Sequence, residues 1–108
     1  MDRQEFLRRA DACLERIDAA LQDVDPDELD YASSDGVITL EFADKKRYVL
    51  NRQTAANQMW FAADARAWHF VWDATREAWV DDKEGRELFA LVGDLMQPAL
   101  QYSSPFLL

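Results

Sequence analysis

The chain has 108 residues, of which 49% are hydrophobic, and its 21 acids and 12 bases give a net charge of −9. This length and composition predict a single globular domain over residues 1–108 and exclude a disordered chain. No apolar run is long enough to span a membrane, and the N-terminal residues do not predict a signal peptide. The acidic balance disfavours nucleic acids and anionic membrane surfaces as partners. A single cysteine, Cys13, excludes an internal disulfide, so we expect a reducing compartment, the cytoplasm.

The first element predicted along the chain is an amphipathic helix over residues 3–24. Its apolar stripe has helical spacing and consists of Phe6, Ala10, Leu14, Ile17, Leu21 and Val24. Asp2 is the expected N-cap, with Glu5 three residues on, and Pro26 ends the helix because it has no N–H to donate. Four acids share one flank of this helix: Asp11, Glu15, Asp18 and Asp25.

From about residue 28 the apolar period changes to two, which predicts β-strands. The expected strands are 36–42, 47–52, 57–63, 66–73 and a short one at 78–80. In the third of these, Met59 and Phe61 are opposite in phase to Gln58 and Trp60. The short gaps between strands predict hairpins and therefore an antiparallel sheet.

The period becomes helical again over residues 84–101, where one face carries Leu88, Leu91, Val92, Leu95 and Met96. Pro98 is expected to end or kink this helix, and the apolar tail 102–108 is expected to pack onto the domain. The order helix, strands, helix predicts an α+β fold. We expect a two-layer α-β sandwich, with two terminal helices on one face of a five- to six-stranded antiparallel sheet and the other face open.

No motif of a nucleotide-binding loop, a zinc protease or a serine hydrolase occurs in the sequence. The one histidine, His69, is expected to be a surface or half-buried residue, and Cys13 a structural thiol. We therefore predict that the protein is not an enzyme. The alternative is a small enzyme that uses His69, which nothing in the sequence supports.

The acidic residues are concentrated near the N-terminus. Residues 1–44 hold 13 of the 21 acids but four of the 12 bases, and residues 23–30 alone hold five acids. Carboxylates suit hard or borderline cations, but without imidazole or thiolate they bind metal weakly and exchangeably. Two other interpretations remain open at this point. The acids can be solvated surface, or they can form a docking surface for a basic partner.

The open face of the predicted sheet is the second candidate surface. If Met59 and Phe61 face the core, Gln58 and Trp60 face outward, and Asn51 shares their side. An exposed tryptophan flanked by amide side chains is typical of an interface anchor. The alternative is that a loop or Arg52 covers Trp60.

Three segments together carry a family resemblance: 5-EFLRRAD-11, 49-VLNRQTAANQMWFA-62 and 67-AWHF-70, followed by Trp79. In this order and spacing they resemble the bacterial form of the frataxin family. The resemblance implies the same α-β sandwich. It also implies a non-enzymatic, iron-binding regulator of iron–sulfur cluster assembly that docks on the cysteine desulfurase and contacts the scaffold protein. The alternative function is an iron chaperone or store that delivers iron to cluster assembly.

The resemblance also assigns residues by position. The implied ligands of weakly bound, exchangeable iron are Glu15, Asp18, Asp23, Asp25, Asp27, Glu28 and Asp30. The implied partner-binding residues of the sheet are Asn51, Arg52, Gln58 and Trp60. Several positions that are acidic elsewhere in the family are here Ala19, Ala20 and Gln22. We expect a monomer in the absence of metal.

Overall fold

The computed structural model of the protein describes residues 1–97. Its elements are α1 (Arg3–Leu21), β1 (Leu29–Ser34), β2 (Val37–Phe42), β3 (Arg47–Gln53), β4 (Gln58–Ala63), β5 (Arg66–Asp73), β6 (Ala78–Asp81) and α2 (Leu88–Met96). A single 3-10 turn, Thr54–Ala56, joins β3 to β4. The six strands form one antiparallel sheet in the order β1 to β6, and both helices pack on one of its faces. The predicted α+β sandwich is confirmed.

The first helix begins as predicted but ends earlier. The Asp2 carboxylate accepts the backbone N–H of Glu5 at 2.8 Å, which caps the helix. The helix ends at Leu21, three residues before the predicted end, and the N–H of Val24 bonds to the carbonyl of Leu21 in a tight turn. Asp25, expected on the flank of the helix, therefore lies outside it, in the turn that precedes Pro26.

The core lies between the helices and the inward-facing residues of the strands. Six of the inward strand residues are at most 2% exposed: Ile38, Leu40, Leu50, Met59, Phe61 and Phe70. They pack on the buried stripe of α1 and on the apolar face of α2. Residue alternation in β4 is therefore as predicted, with Met59 and Phe61 inside.

The edge strand β1 was not among the strands placed by the apolar pattern. Its sequence, LDYASS, has one buried residue, Leu29, and small polar residues at its far end. It pairs with β2 along its full length, from Leu29 opposite Phe42 to Ser34 opposite Val37. An edge strand can tolerate such weak alternation because it has one neighbour and little to bury.

The second helix begins at Leu88, four residues after the predicted start, because Glu87 caps it and the preceding turn is organised by Asp81. Its carboxylate accepts the backbone N–H groups of Lys83, Glu84 and Arg86 at 2.8–3.0 Å. The same turn needs Gly85, which has a φ of 73°. The predicted helix end at 101, Pro98 and the tail 102–108 lie outside the described residues.

The hydrogen bonds of Asp81 make acid stability a test of this turn. Burial acts to raise the pKa of the carboxyl, but the three backbone donors outweigh it and the pKa is lower than the usual 3.8. A lowered pKa contributes stability above pH 3.8, and this contribution is lost as pH falls through the folded-state pKa. We expect Asp81→Asn to lower the free energy of unfolding by about 1–3 kcal/mol at neutral pH.

Urea unfolding at about pH 7 and about pH 2.5 checks this, with the gap between variant and parent shrinking at the acid pH. Asp82→Asn is the matched control, since the Asp82 side chain is exposed. A gap that is equal at both pH values would contradict the assigned role of the Asp81 carboxylate.

Candidate functional site

Acidic residues of the N-terminal half form two separate groups. The first lies in a groove of about 300 Å³ between α1 and the β1–β2 turn. Its acidic lining residues are Asp11, Glu15, Asp18 and Asp35. Asp11, Glu15 and Asp18 come from successive turns of one helix flank, as predicted, and the β1–β2 turn adds Asp35.

Arg52 closes one end of this groove. Its guanidinium pairs with Asp11 through Nη1 and with Asp35 through Nη2, at 2.7 Å for the second pair. The Arg52 side chain is 20% exposed, so this cation lies partly inside the groove. Glycine is favoured at position 36 for two reasons. A Cβ there would lie 2.8 Å from Arg52 Nε, and the φ of 74° is a backbone conformation that other residues rarely adopt. The structure thus joins helix, turn and strand through one arginine.

The second acidic place is the turn after α1 and the edge of the sheet. Asp23, Asp25 and Asp27 are exposed there, and the Asp25 carboxylate accepts the backbone N–H of Asp27 at 2.9 Å. Asp30 lies directly opposite Glu41 on the neighbouring strand. Like charges opposite one another in a sheet repel, and Arg47, which lies opposite Glu41 on β3, offsets part of that repulsion.

The structure brings the seven predicted iron ligands together only in part. Glu15 and Asp18 share the groove, whereas Asp27, Glu28 and Asp30 line a shallow pocket of about 160 Å³ at the sheet edge. Within residues 1–97, no group of three or more His, Cys, Asp and Glu side chains is arranged to hold a metal ion. The carboxylate oxygens at both places could hold a hydrated cation in company with water ligands.

The open face of the sheet carries an ordered aromatic pair. The Trp60 indole stacks on the imidazole of His69, with ring centroids 4.4 Å apart and planes 16° apart. The indole Nε1 donates to Gln58 Oε1 at 2.7 Å. Asn51 is the cross-strand neighbour of Trp60 on β3. Trp60 is half-buried, and Gln58 and His69 hold it in one orientation on a face that the helices leave open.

Arg52 does not share the open face with Asn51, Gln58 and Trp60. It lies opposite Met59, in the inward row of β3 that also contains Tyr48 and Leu50. Neighbouring residues of a strand point to opposite faces, so Asn51 and Arg52 cannot belong to one surface of the sheet. The prediction that Arg52 lies on the same surface of the sheet as Asn51 is therefore wrong. Arg52 instead lines the acidic groove.

Sequence reasoning missed the place of His69 beside Trp60. The signal was present in the hairpin between β4 and β5, where a two-residue turn, 64–65, makes Ala63 face Arg66. Counting back from that turn places Trp60 opposite His69. The histidine is thus part of the candidate surface and not an isolated surface residue.

Comparisons with known proteins agree with this geometry. The frataxin-like domain family matches residues 1–102. A relative from Dechloromonas aromatica, named iron-sulfur cluster assembly protein CyaY, is 40% identical over 96 residues, which cover 88% of this chain and 89% of the relative. A protein of the same name from Vibrio cholerae is 36% identical over 92 residues, covering 85% and 86% of the two chains. This chain therefore belongs to the frataxin family.

Solved structures show the same architecture. The frataxin of Psychromonas ingrahamii superposes with a TM-score of 0.79 at 24% identity, over 91% of each chain. A trimeric yeast frataxin, described as complexed with ferrous iron, superposes with a TM-score of 0.60 at 26% identity, over 93% of this chain and 86% of the yeast chain. No helix among the described residues is long and apolar enough to cross a membrane.

The position of Arg52 predicts a coupling between stability and cations. Arg52→Gln removes the positive charge that Asp11 and Asp35 share. We expect the free energy of unfolding to fall by only about 1 kcal/mol, because the Asp11 and Asp35 side chains are 48% and 95% exposed and water screens both ion pairs. Without Arg52 the groove is purely acidic, so millimolar magnesium should raise the melting temperature of the variant more than that of the parent.

Differential scanning fluorimetry with and without magnesium measures both effects. Arg47→Gln removes an equal charge from an exposed position on the same strand and should leave the magnesium response unchanged. An equal magnesium response in the parent and both variants would show that Arg52 does not neutralise the groove.

Proposed function

We propose that this protein is a non-catalytic, iron-binding regulator of iron–sulfur cluster assembly that docks on a cysteine desulfurase and also contacts the scaffold protein. The observation that carries the proposal is the concentration of exposed acids at α1, the following turn and the β1–β2 edge. The names of its relatives place those proteins in iron–sulfur cluster assembly, which supports the same role here.

The acidic surface suits a basic partner better than a neutral one. Asp23, Asp25, Asp27 and Asp30 are all exposed and lie within eight residues, so their charges act together. Exposed charges act over about 10 Å at ordinary ionic strength, and opposite charge on a partner raises the rate of association. The total charge of the surface, more than any one carboxylate, is therefore expected to set affinity.

Replacement of Asp23, Asp25 and Asp27 by Asn should weaken binding to the desulfurase and flatten its salt dependence. Asparagine at position 25 keeps an acceptor for the Asp27 N–H, so the turn retains its hydrogen bond while the charge is lost. Biolayer interferometry at several salt concentrations measures both the affinity and the slope.

A variant with Asp64→Asn, Asp82→Asn and Glu84→Gln is the matched control, since it removes three exposed acids outside the acidic surface. It should bind as the parent does. Equal weakening by the two triple variants would mean that net charge alone, and not this surface, governs binding.

Trp60 is proposed as the anchor on the open face. Trp60→Ala loses the stack on His69 and the bond to Gln58, so we expect a stability loss of about 1 kcal/mol. Affinity for the desulfurase or the scaffold should fall tenfold or more, where one decade corresponds to about 1.4 kcal/mol. Phe61→Ala, at a 1% exposed position, should instead cost about 3–5 kcal/mol of stability.

Chemical denaturation and binding titrations of the two variants test this assignment. If Phe61→Ala proved the milder variant for stability and Trp60→Ala the more damaging, the open face would not be the partner-binding face.

Iron is proposed to bind weakly, at several exchangeable sites, through Glu15, Asp18, Asp23, Asp25, Asp27, Glu28 and Asp30. Carboxylates discriminate little among divalent cations, so magnesium and manganese should compete with ferrous iron. Anaerobic calorimetry measures this, and one site of nanomolar affinity would refute it.

The alternative, an iron chaperone or store, is favoured by the ferrous complex of the yeast frataxin. A store requires many ions per chain, so stoichiometry separates the two functions.

The deciding experiment is a pull-down with purified desulfurase, followed by cysteine turnover with and without iron. The proposal requires a complex and a change in turnover that responds to iron. A protein that binds iron but neither binds nor affects the desulfurase would instead be a chaperone or store.

A further inference from the structure

The outer side of β1 is a strand edge with unpaired backbone groups. β1 is one of the two edge strands of the sheet. The Ala43 N–H donates to the Glu28 carbonyl at 3.0 Å, which makes these residues a hydrogen-bonded pair at the end of the β1–β2 ladder. Such pairs recur at every second residue of an antiparallel ladder, and the residues between them direct their backbone groups away. The register therefore turns the N–H and C=O groups of Tyr31 and Ser33 outward, where no residue within 1–97 bonds to them.

The opposite edge of the sheet is closed by the chain itself. The Asp81 N–H on β6 donates to the Arg86 carbonyl at 2.9 Å, and Val80 forms a bridge with Glu87. The segment before α2 thus lies along the outer side of β6. Of the two sheet edges, β1 is therefore the one that the described residues leave open.

β1 lacks most of the devices by which proteins protect an edge strand. Its sequence, LDYASS, has no proline and no lysine, and it pairs with β2 residue for residue without a bulge. Three small residues, Ala32, Ser33 and Ser34, are exposed and leave room beside the strand. A second copy of this chain is nevertheless disfavoured as the neighbour, because each copy carries a net charge of −9 and presents the same acids at this edge.

Acidic side chains flank the β1 edge on both faces of the sheet. On the helix side, Glu15 and Asp18 line the groove together with Ser33. Neither of these two acids forms an ion pair in the described part of the chain. On the open side, Asp30 is exposed in the outward row of β1. A strand added beside β1 would point alternate side chains to the two faces, so its basic residues would meet acids on either face.

We propose that β1 accepts an extended basic segment of a partner protein as an additional strand of the sheet. The outward backbone groups of Tyr31 and Ser33 bond to the backbone of this segment. Its lysine or arginine side chains meet Glu15, Asp18 and Asp30. The backbone bonds supply affinity, and the acids select basic segments over others. This mode of binding presupposes the proposed function, in which the acidic surface docks a basic partner, and adds a backbone contact to it.

Titration of the unaltered, ¹⁵N-labelled protein with a short capped peptide of alternating Lys and Thr residues tests the proposal by two-dimensional NMR. At saturation, exchange of the backbone N–H groups with deuterated water should slow at Tyr31 and Ser33. It should change little at Asp30 and Ala32, whose N–H groups already bond to β2.

Two control peptides separate backbone pairing from simple charge attraction. The same peptide with every backbone nitrogen methylated keeps its charges but loses its donors, so it should bind at least tenfold more weakly. A peptide of alternating Glu and Thr keeps the donors but reverses the charge, and it should also bind at least tenfold more weakly.

Ser33→Pro removes an N–H that faces solvent, so the β1–β2 ladder stays intact while the edge loses a donor. The affinity for the Lys and Thr peptide should fall at least tenfold. Ser33→Ala is the matched control, since it keeps the N–H, and it should bind the peptide as the parent does.

The proposal is overturned if either control peptide binds the unaltered protein as well as the basic one, or if Tyr31 and Ser33 gain no protection. Equal affinities of the two Ser33 variants would also overturn it. Protection of both N–H groups without peptide, in a protein that sediments as a dimer, would assign the edge to a second copy instead. No desulfurase is present in the titration, so its failure leaves the proposed function standing, and the pull-down tests that function separately.

Discussion

Both helices pack on the same face of the sheet, and this constraint decides which side chains can meet another molecule. On each strand one set of alternate residues is enclosed by α1 and α2, and the other set faces outward. Phe61 and Met59 fill the core, so Trp60 must lie outside it. A one-residue slip of β4 would exchange these roles and destroy both the core and the candidate anchor.

Hydrophobic period and turn chemistry were sufficient to predict the architecture and the phase of β4. They worked because large apolar residues alternate strongly in β2 and β4, and because Asp2 marks the start of α1. They failed where the deciding interactions are polar. The start of α2 depends on the cap by Glu87 and on the turn that the carboxylate of Asp81 organises, and neither set of bonds leaves a periodic signal.

The candidate site was predictable to a similar extent. The outward position of Trp60 follows from alternation alone. Arg52 was misplaced because it was grouped with its neighbour Asn51 by a sequence motif, whereas alternation puts the two on opposite faces. Its ion pairs with Asp11 and Asp35 join residues 41 and 17 positions apart, and no local pattern predicts contacts at such separations. For the same reason, seven acids that are near in sequence form two separate groups in the fold.

In the proposed function, the acids attract the partner and Trp60 holds it, and these residues lie at different parts of the open face. Asp30 and Glu41 face outward at one end of β1 and β2, and Trp60 with His69 faces outward near the other end of the sheet. The acids act at long range, so the proposal assigns to them the orientation of a basic partner and a faster association. The stacked indole acts only on contact, where burial of a pre-oriented aromatic ring slows dissociation. Because the helices cover the opposite face, the proposal requires that a partner guided by the acids meet Trp60 on the side of the sheet that remains open.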